Sequence, residues 1–422
     1  MKKILLRALV AMVLVACAKE ETSIVKIEEV KNPYEVTPDE AVQLLQTVVG
    51  GESTRAVSVG SIQTLKKSDF VPTTRGAEDG DVVYIVDLED GGSAIMGADK
   101  RMEPIYAILD ETKISPEQLT LTATRSDDGE QDIEEYVMGL VNDKITYDMS
   151  EMIPIVRDSL LPEMPMIPRP HEVTITTMLG SKYPMLRTKW HQGSPFNDLN
   201  PFGLDAGCGP VAIAQIAYYF RVPIFYLDSY LDWNLISECE YLGNPSDAAN
   251  YEVAKLLYVI GGQVCNWDNT EFGPSPSANI YKCRNSISGL MDSPAEVRGY
   301  NYTEIINLLN SGKPVYTDGS DSEKQKGHAW VIDGYKSYNE KIYEREYNGI
   351  IVGEYIDTLL SDTTYYLVHC NYGWTGMCDG YYTSGVFDIS NELDDDMIEE
   401  SIGDYDGAQD YDFSGVVKYI RY

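Results

Sequence analysis

One cysteine stands where a helix start could make its thiol reactive. Cys208 lies in the segment Asp205-Ala-Gly-Cys-Gly-Pro210, and nine of the ten residues after Pro210 are apolar, with Gln215 as the exception. Proline is favoured in the first turn of a helix, and a helix that is apolar on every face is buried. The free N–H groups at its start favour a thiolate, which predicts a nucleophile. A packed, inert thiol fits the same residues.

A thiol nucleophile needs a base, and one of the four histidines has a suitable setting. His328 lies in Lys326-Gly-His-Ala-Trp-Val-Ile-Asp-Gly334, at the start of a predicted strand and just after the loop 318–327. One side of such a strand start can face a cleft. A packed or surface histidine is the alternative.

Two amide side chains can complete this chemistry. Asn371, at the end of a predicted strand, could accept the imidazole N–H, and Trp374 could cover that bond from water. Gln192 could join the Cys208 backbone N–H as the two donors of an oxyanion hole. Taken singly, an asparagine at this position is more often a turn residue.

The composition limits the class of protein. The chain has 422 residues, is 43% apolar and carries a formal net charge of −34. A globular, soluble chain is expected, and nucleic acid and anionic membrane surfaces would repel it. No C-x-x-C pair signals a metal site, and no cofactor is expected.

The first residues predict export. Lys2, Lys3 and Arg7 precede a short apolar run that ends Leu14-Val-Ala-Cys17, which resembles a bacterial lipobox. Residues 1–16 are therefore expected to be a lipoprotein signal peptide, and Cys17 a lipidation site. An ordinary secretory signal with a chance cysteine is the alternative.

Six further cysteines allow disulfides in an exported chain. A working Cys208 must stay free, so at least one other cysteine must stay free as well. Cys370 and Cys378 are the closest pair, and the sequence does not decide whether they are bridged.

The first half of the chain predicts a small α+β domain. After a polar tether, 17–36, the segment Thr37-Pro-Asp-Glu40 predicts a capped helix up to Gly50. Strands are expected at 81–87, 93–96 and 105–109, the first two joined as a hairpin. The Pro-rich segment 160–170 predicts a linker. Residues 37–170 are assigned to this domain and linker.

The second half, 171–422, is expected to be a separate α+β domain. A buried helix carrying the cysteine and a helix at 248–260 precede predicted strands. The predicted strands are 314–317, 329–333, 365–369 and 380–383.

The order Gln192, Cys208, His328, Asn371 resembles the streptopain family of papain-like cysteine peptidases. Residues 84–101 look like that family's inhibitory propeptide, and Phe272-Gly-Pro-Ser-Pro-Ser-Ala278 looks like its cleft-wall segment. The resemblance implies a papain-like catalytic domain behind a propeptide domain. It also implies Cys208 as nucleophile, His328 as base, Asn371 as orienting group and Gln192 as oxyanion donor. The implied substrate cleft is formed by Gly207, Gly273, Ser275, Gly327 and Trp374.

Two positions depart from the family pattern. Gly209-Pro210 replaces the Val-Ala that is common after the family's cysteine, and is similar to the Gly-Cys-Gly-Pro of bacteriocin-processing peptidases. Tyr372 stands where the family often has tryptophan, so either Tyr372 or Trp374 could shield the bond between His328 and Asn371.

The resulting hypothesis is an exported cysteine endopeptidase of the bacterial cell envelope, made as a zymogen. Its partners would be protein or peptide substrates, its own propeptide as intramolecular inhibitor, and a lipid anchor on Cys17. A peptidoglycan-cleaving Cys–His hydrolase and a non-catalytic surface-binding lipoprotein are the alternatives. Cleavage preference, maturation site and oligomeric state are left open.

Overall fold

The computed structural model describes most of the chain beyond its first 33 residues. The described residues are 34–50, 58–71, 79–89, 91–120, 133–152, 171–241, 245–267, 275–321, 326–347, 355–387 and 417–422. The predicted signal peptide, Cys17, the Pro-rich linker and Gly273 lie outside these residues. Residues 34–152 are called the N-terminal region below, and residues 171–422 the C-terminal region.

The described residues alternate between helices and strands. The helices are α1 (Pro38–Gly50), α2 (Lys67–Phe70), α3 (Pro116–Thr120), α4 (Ile133–Glu151), α5 (Cys208–Phe220), α6 (Trp233–Ile236), α7 (Asp247–Val264), α8 (Ile280–Met291) and α9 (Tyr302–Asn310). The strands are β1 (Val59–Lys66), β2 (Asp81–Leu88), β3 (Ser93–Gly97), β4 (Ile105–Leu109), β5 (His171–Lys182), β6 (Phe225–Tyr226), β7 (Ser229–Tyr230), β8 (Cys265–Asn266), β9 (Ser275–Ala278), β10 (Glu296–Gly299), β11 (Val315–Asp321), β12 (Lys326–Tyr347), β13 (Tyr355–Asn371), β14 (Gly380–Thr383) and β15 (Val417–Arg421). The predicted α+β class is confirmed.

Eleven of the described strands form one antiparallel sheet. Its order is β1-β2-β3-β4-β14-β13-β12-β11-β15-β10, and β5 pairs with the distal part of β12. The two regions meet where β4 pairs with β14, with Ile108 opposite Tyr381. The N-terminal region therefore extends the sheet of the C-terminal region.

Strand β12 alternates its side chains between two cores. Trp330 and Ile332 pack in the core that also contains residues of α4, whereas Ala329 and Val331 pack in the core around α5 and α7. This alternation follows from the pleat of a strand. It places an N-terminal helix on one side of the sheet and the cysteine helix on the other.

The predicted local structure of the N-terminal region is confirmed. Thr37 and Glu40 form the expected capping box: Thr37 N donates to Glu40 Oε2 at 2.7 Å, and Glu40 N donates to Thr37 Oγ1 at 3.3 Å. Strands β2 and β3 pair as the expected hairpin, with Val83 opposite Gly97.

Two parts of the C-terminal region differ from the prediction. Strands β12 and β13 extend well beyond the predicted residues 329–333 and 365–369 and pair from Val331–Asn371 to Tyr347–Tyr355. His171, expected in the linker, begins the twelve-residue strand β5. β5 lies along β12, so its pairing depends on a strand that lies more than 150 residues later in the sequence. The proposed domain limits stay a prediction.

Candidate active site

Cys208 is the first residue of α5, as predicted. Gly207 precedes it with φ 88°, and a Cβ at Gly207 would lie 2.5 Å from the carbonyl oxygen of Pro276. Only glycine fits this conformation and this close approach. Gly207 therefore fixes how the chain enters the helix, and the Cys208 side chain is half-buried beside β9.

The unusual Gly209 has a packing explanation. A Cβ at Gly209 would lie 2.8 Å from Ala278 Cβ and 3.4 Å from Cys283 Sγ. The hydroxyl of Tyr316 lies 3.5 Å from the same position and donates to Cys283 Sγ at 3.3 Å. The space that a side chain would need is already filled, so this chain requires glycine there.

The Cys208 thiol is protonated at neutral pH in this structure. Burial raises its pKa to about 11, and the nearby Asp318 carboxylate adds to the rise. The backbone amides of Ala329, Gly209 and Cys208 itself oppose it. The expectation that the helix start favours the thiolate is thus outweighed, because a charge is costly in this enclosed position.

Asp318 shares the side of the sheet that faces Cys208. It lies opposite Ala329 in the β11–β12 register, and its Oδ2 lies 3.4 Å from the Tyr316 hydroxyl, whose one proton it shares with Cys283 Sγ. Burial raises the pKa of Asp318 to about 7. Sequence reasoning missed this carboxyl, because its proximity to the thiol depends on strand pairing.

His328 is buried on β12. It directly precedes Ala329, whose backbone amide faces the sulfur of Cys208. Its Nε2 lies 2.8 Å from the carbonyl oxygen of Tyr372. A carbonyl can only accept, so Nε2 carries the proton and Nδ1 is left as the basic nitrogen. Burial lowers the His328 pKa to about 4, so the ring is neutral at pH 7.

Three aromatic rings surround His328. The ring centroids of Tyr372, Tyr136 and Trp374 lie 6.0, 6.1 and 6.3 Å from that of the imidazole. Tyr372 is fully buried and Trp374 only partly. Both aromatic candidates therefore cover the histidine, and Tyr136, from helix α4, adds a contact from the N-terminal region.

Asn371 is not bonded to His328, contrary to expectation. Its Oδ1 accepts from Gln215 Nε2 at 2.8 Å and from Gly373 N at 3.1 Å, and its Nδ2 donates to Thr188 O at 3.0 Å. The amide oxygen thus already has two donors. His328 instead donates from Nε2 to the carbonyl oxygen of the next residue, Tyr372.

The remaining predicted positions lie near the site or are not described. Gln192 is anchored just upstream of the cysteine, since its carbonyl accepts from Ala206 N at 2.8 Å. Gly327 precedes His328 on β12 and pairs with Ser320. Ser275 lies in β9 opposite Asn266. The roles predicted for these residues stay predictions.

The six cysteines within the described residues are all free thiols, including Cys370 and Cys378. The same residues contain no group of three metal-ligating side chains. None of the helices that the structure describes is both long and apolar enough to cross a membrane.

A cysteine at the start of a buried helix and a buried histidine on the antiparallel sheet are the two groups that a cysteine peptidase requires. In this structure the imidazole lies on the side of the sheet that faces Tyr136, whereas the thiol lies on the side of Ala329. Residues 190–382 match the model of the Peptidase C10 family, and the matched span includes Gln192, Cys208, His328 and Asn371. The resemblance to the streptopain family is thereby confirmed over residues 190–382, and the match supports a cysteine-type peptidase.

A solved structure supports the fold assignment. A fragment of prointerpain A from Prevotella intermedia matches with a TM-score of 0.50 and 19% sequence identity, covering 86% of this chain and 98% of that one. The papain-like α+β class is confirmed by this likeness. The sequence has no significant match among curated proteins.

Proposed function

We propose that the chain is the proenzyme of an exported cysteine endopeptidase, kept latent by its N-terminal region. The observation that carries the proposal is the contact of Tyr136 with His328, because it places an N-terminal helix on the predicted catalytic base. The hydroxyl of Tyr136 also lies 2.8 Å from the position that a Cβ of Gly319 would take. Gly319 lies opposite His328 in the neighbouring strand β11, so the helix packs against this strand as well.

The protonation states support latency. Burial gives the Cys208 thiol a pKa of about 11 and the His328 imidazole one of about 4. A thiolate–imidazolium pair would require these values in the opposite order. Release of α4 would let water reach both groups, which moves each pKa back toward its ordinary value.

In the active form, His328 Nδ1 takes the proton of Cys208, and the thiolate attacks the carbonyl carbon of the scissile peptide. The Cys208 amide and Gln192 stabilise the oxyanion. The C–N bond then breaks as His328 gives its proton to the leaving amine, which produces a thioester. Water, deprotonated by His328, attacks the thioester and releases the carboxylic acid, and the thiol regains its proton.

The proposal is tested by incubating the purified full chain with and without Cys208→Ala and following both self-cleavage and casein hydrolysis by mass spectrometry. The variant should lose both activities. Cys239→Ala, which changes a buried cysteine of another segment, is the matched control and should keep both. Self-cleavage and casein hydrolysis at the parent rate in the Cys208 variant would refute the assignment.

The substrate class is tested in the same experiment. A protein endopeptidase cleaves casein and leaves muropeptides intact, whereas a peptidoglycan hydrolase gives the reverse result. The peptides released from casein also report the cleavage preference.

Export and lipidation rest on the sequence of residues 1–17. In a bacterial host, labelled fatty acid should be incorporated into the chain and lost in Cys17→Ala. Equal labelling of both chains would exclude Cys17 as the anchor.

A further inference from the structure

The buried histidine of β13 is held between carboxylates from both regions. His369 Nδ1 lies 2.6 Å from Asp333 Oδ1, and its Nε2 lies 3.1 Å from Asp110 Oδ2. His369 is 3% exposed. Asp333 belongs to β12 of the C-terminal region, whereas Asp110 follows β4 of the N-terminal region. One imidazole thus bridges the proposed enzyme and its proposed propeptide.

The two carboxylates differ in how they are held. Asp333 is fully buried, and its Oδ2 also accepts from Leu186 N at 2.8 Å. Asp110 has a side chain that is 39% exposed, and its amide donates to Asp379 O at 3.0 Å. Asp333 therefore stays with His369 when the N-terminal region leaves, and Asp110 goes with that region.

His369 is an imidazolium in this arrangement. Ionised carboxylates only accept hydrogen bonds, so both ring nitrogens carry a proton. Burial alone would lower the pKa of His369, but the charges and hydrogen bonds of Asp333 and Asp110 raise it to about 10. Removing Asp110 would leave a buried cation with a single counter-ion, which is unfavourable.

Few other charges lie near this group. Asp379 is buried, its pKa is raised to about 6 by burial, and Lys189 Nζ lies 3.4 Å from its Oδ2. Glu111 Oε1 lies 4.0 Å from Lys189 Nζ, and the Glu111 side chain is exposed. The ring of Tyr381 meets His369 edge-on, with the ring centroids 4.9 Å apart. Lys336 Nζ lies 5.1 Å from the centroid of the same Tyr381 ring.

We propose that the Asp110–His369 ion pair is a latch that holds the N-terminal region against the peptidase sheet. The proposal rests on the proenzyme function proposed above. The pair lies beside the β4–β14 strand contact, where Thr112 Oγ1 also accepts from Cys378 N at 2.9 Å. The latch thus stabilises the β4–β14 pairing, which among the described strands is the one that joins the two regions within the sheet.

The sign of the pH dependence follows from the raised pKa of His369. Docking of Asp110 raises the pKa of His369 above that of the released state, in which Asp333 alone remains, and the docked value is about 10. The contribution of Asp110 to docking is fully present below the released-state pKa and is lost as the pH rises through about 10. The latched state holds its proton more tightly than the released state, in which Asp110 is gone. Docking of the N-terminal region therefore weakens between pH 7 and pH 10.

The test uses the full chain carrying Cys208→Ala, so that no cleavage occurs. Hydrogen–deuterium exchange is measured for the amides of residues 105–110 in this parent, in Asp110→Asn and in Glu111→Gln. The last variant removes the same charge one residue away and does not touch His369. Asp110→Asn should speed exchange at least tenfold at pH 7, and Glu111→Gln less than twofold. Equal exchange in the two variants would overturn the proposal.

A pH series separates a latch from a merely structural contact. After correction for intrinsic exchange, the parent should open more readily from pH 7 to pH 10, whereas Asp110→Asn should show a flat profile. Parallel profiles would also overturn the latch. Casein hydrolysis by the chain with intact Cys208, before and after maturation, tests the proenzyme function separately: equal activities there would refute latency and leave the exchange result unaffected.

Discussion

Gln215, the one polar residue of the apolar helix segment, donates from Nε2 to Asn371 Oδ1 at 2.8 Å. Gln215 is fully buried and Asn371 nearly so. This bond joins the helix that carries Cys208 to the end of strand β13. The residue that follows this strand, Tyr372, accepts the hydrogen bond that orients His328. Gln215 therefore links the helix of the predicted nucleophile to the strand end that carries Asn371.

Replacing Gln215 with leucine should destabilise the protein, because Asn371 Oδ1 then loses one of its two donors in a buried place. The free energy of unfolding should fall by about 1–3 kcal/mol, measured by urea denaturation in the Cys208→Ala background. Gln192→Ala provides the contrast: it should reduce kcat of the mature enzyme by roughly 10²–10³-fold with little change in stability. Equal stability of Gln215→Leu and its parent would contradict the structural role.

Gly209→Ala should be destabilising because its Cβ would lie 2.8 Å from Ala278 Cβ. Overpacking of this kind costs about 1–3 kcal/mol. Gly289→Ala is the control, since Gly289 lies in helix α8 with nothing within 4 Å of a Cβ. That change should stabilise by roughly 0.5–1 kcal/mol. Opposite shifts in melting temperature are predicted, and a stabilising Gly209→Ala would be inconsistent with the packing around the cysteine.

Removing the Tyr136 side chain should hydrate His328. Burial lowers the His328 pKa to about 4, so Tyr136→Ala should raise it toward 6.5, which NMR titration of the imidazole in the Cys208→Ala chain can measure. Tyr147→Ala, on the same helix but exposed, should leave the value near 4. An unchanged pKa in Tyr136→Ala would mean that α4 does not seal the histidine.

Residues close in sequence were predicted well, because local chemistry decides their structure. The Thr37–Glu40 capping box, the β2–β3 hairpin and the helix beginning at Cys208 all follow from short motifs. The Tyr-, Glu- and Lys-rich end of β12 and the Asp- and Thr-containing start of β13 carry no strong strand signal of their own. They pair with each other, and β12 also pairs with β5.

The contacts that define the site depend on pairing between distant segments. Asn371 bonds to Gln215 instead of His328, and Asp318 faces Cys208 only because β11 and β12 pair with Asp318 opposite Ala329. Nothing local in the sequence indicates that Asp110 would reach His369, because the two residues are 259 positions apart. No periodicity in the sequence encodes these partners.

The latency of the Cys208–His328 pair is tested most directly by the pH dependence of Cys208 alkylation. Iodoacetamide is applied to the full chain and to the self-matured enzyme, and modification of Cys208 is followed by mass spectrometry. In the full chain the rate should rise about tenfold per pH unit toward the thiol pKa of about 11. The matured enzyme should react rapidly already at pH 6–7, since water and a freed His328 then stabilise the thiolate. Identical pH profiles before and after maturation would contradict a proenzyme held latent by its N-terminal region.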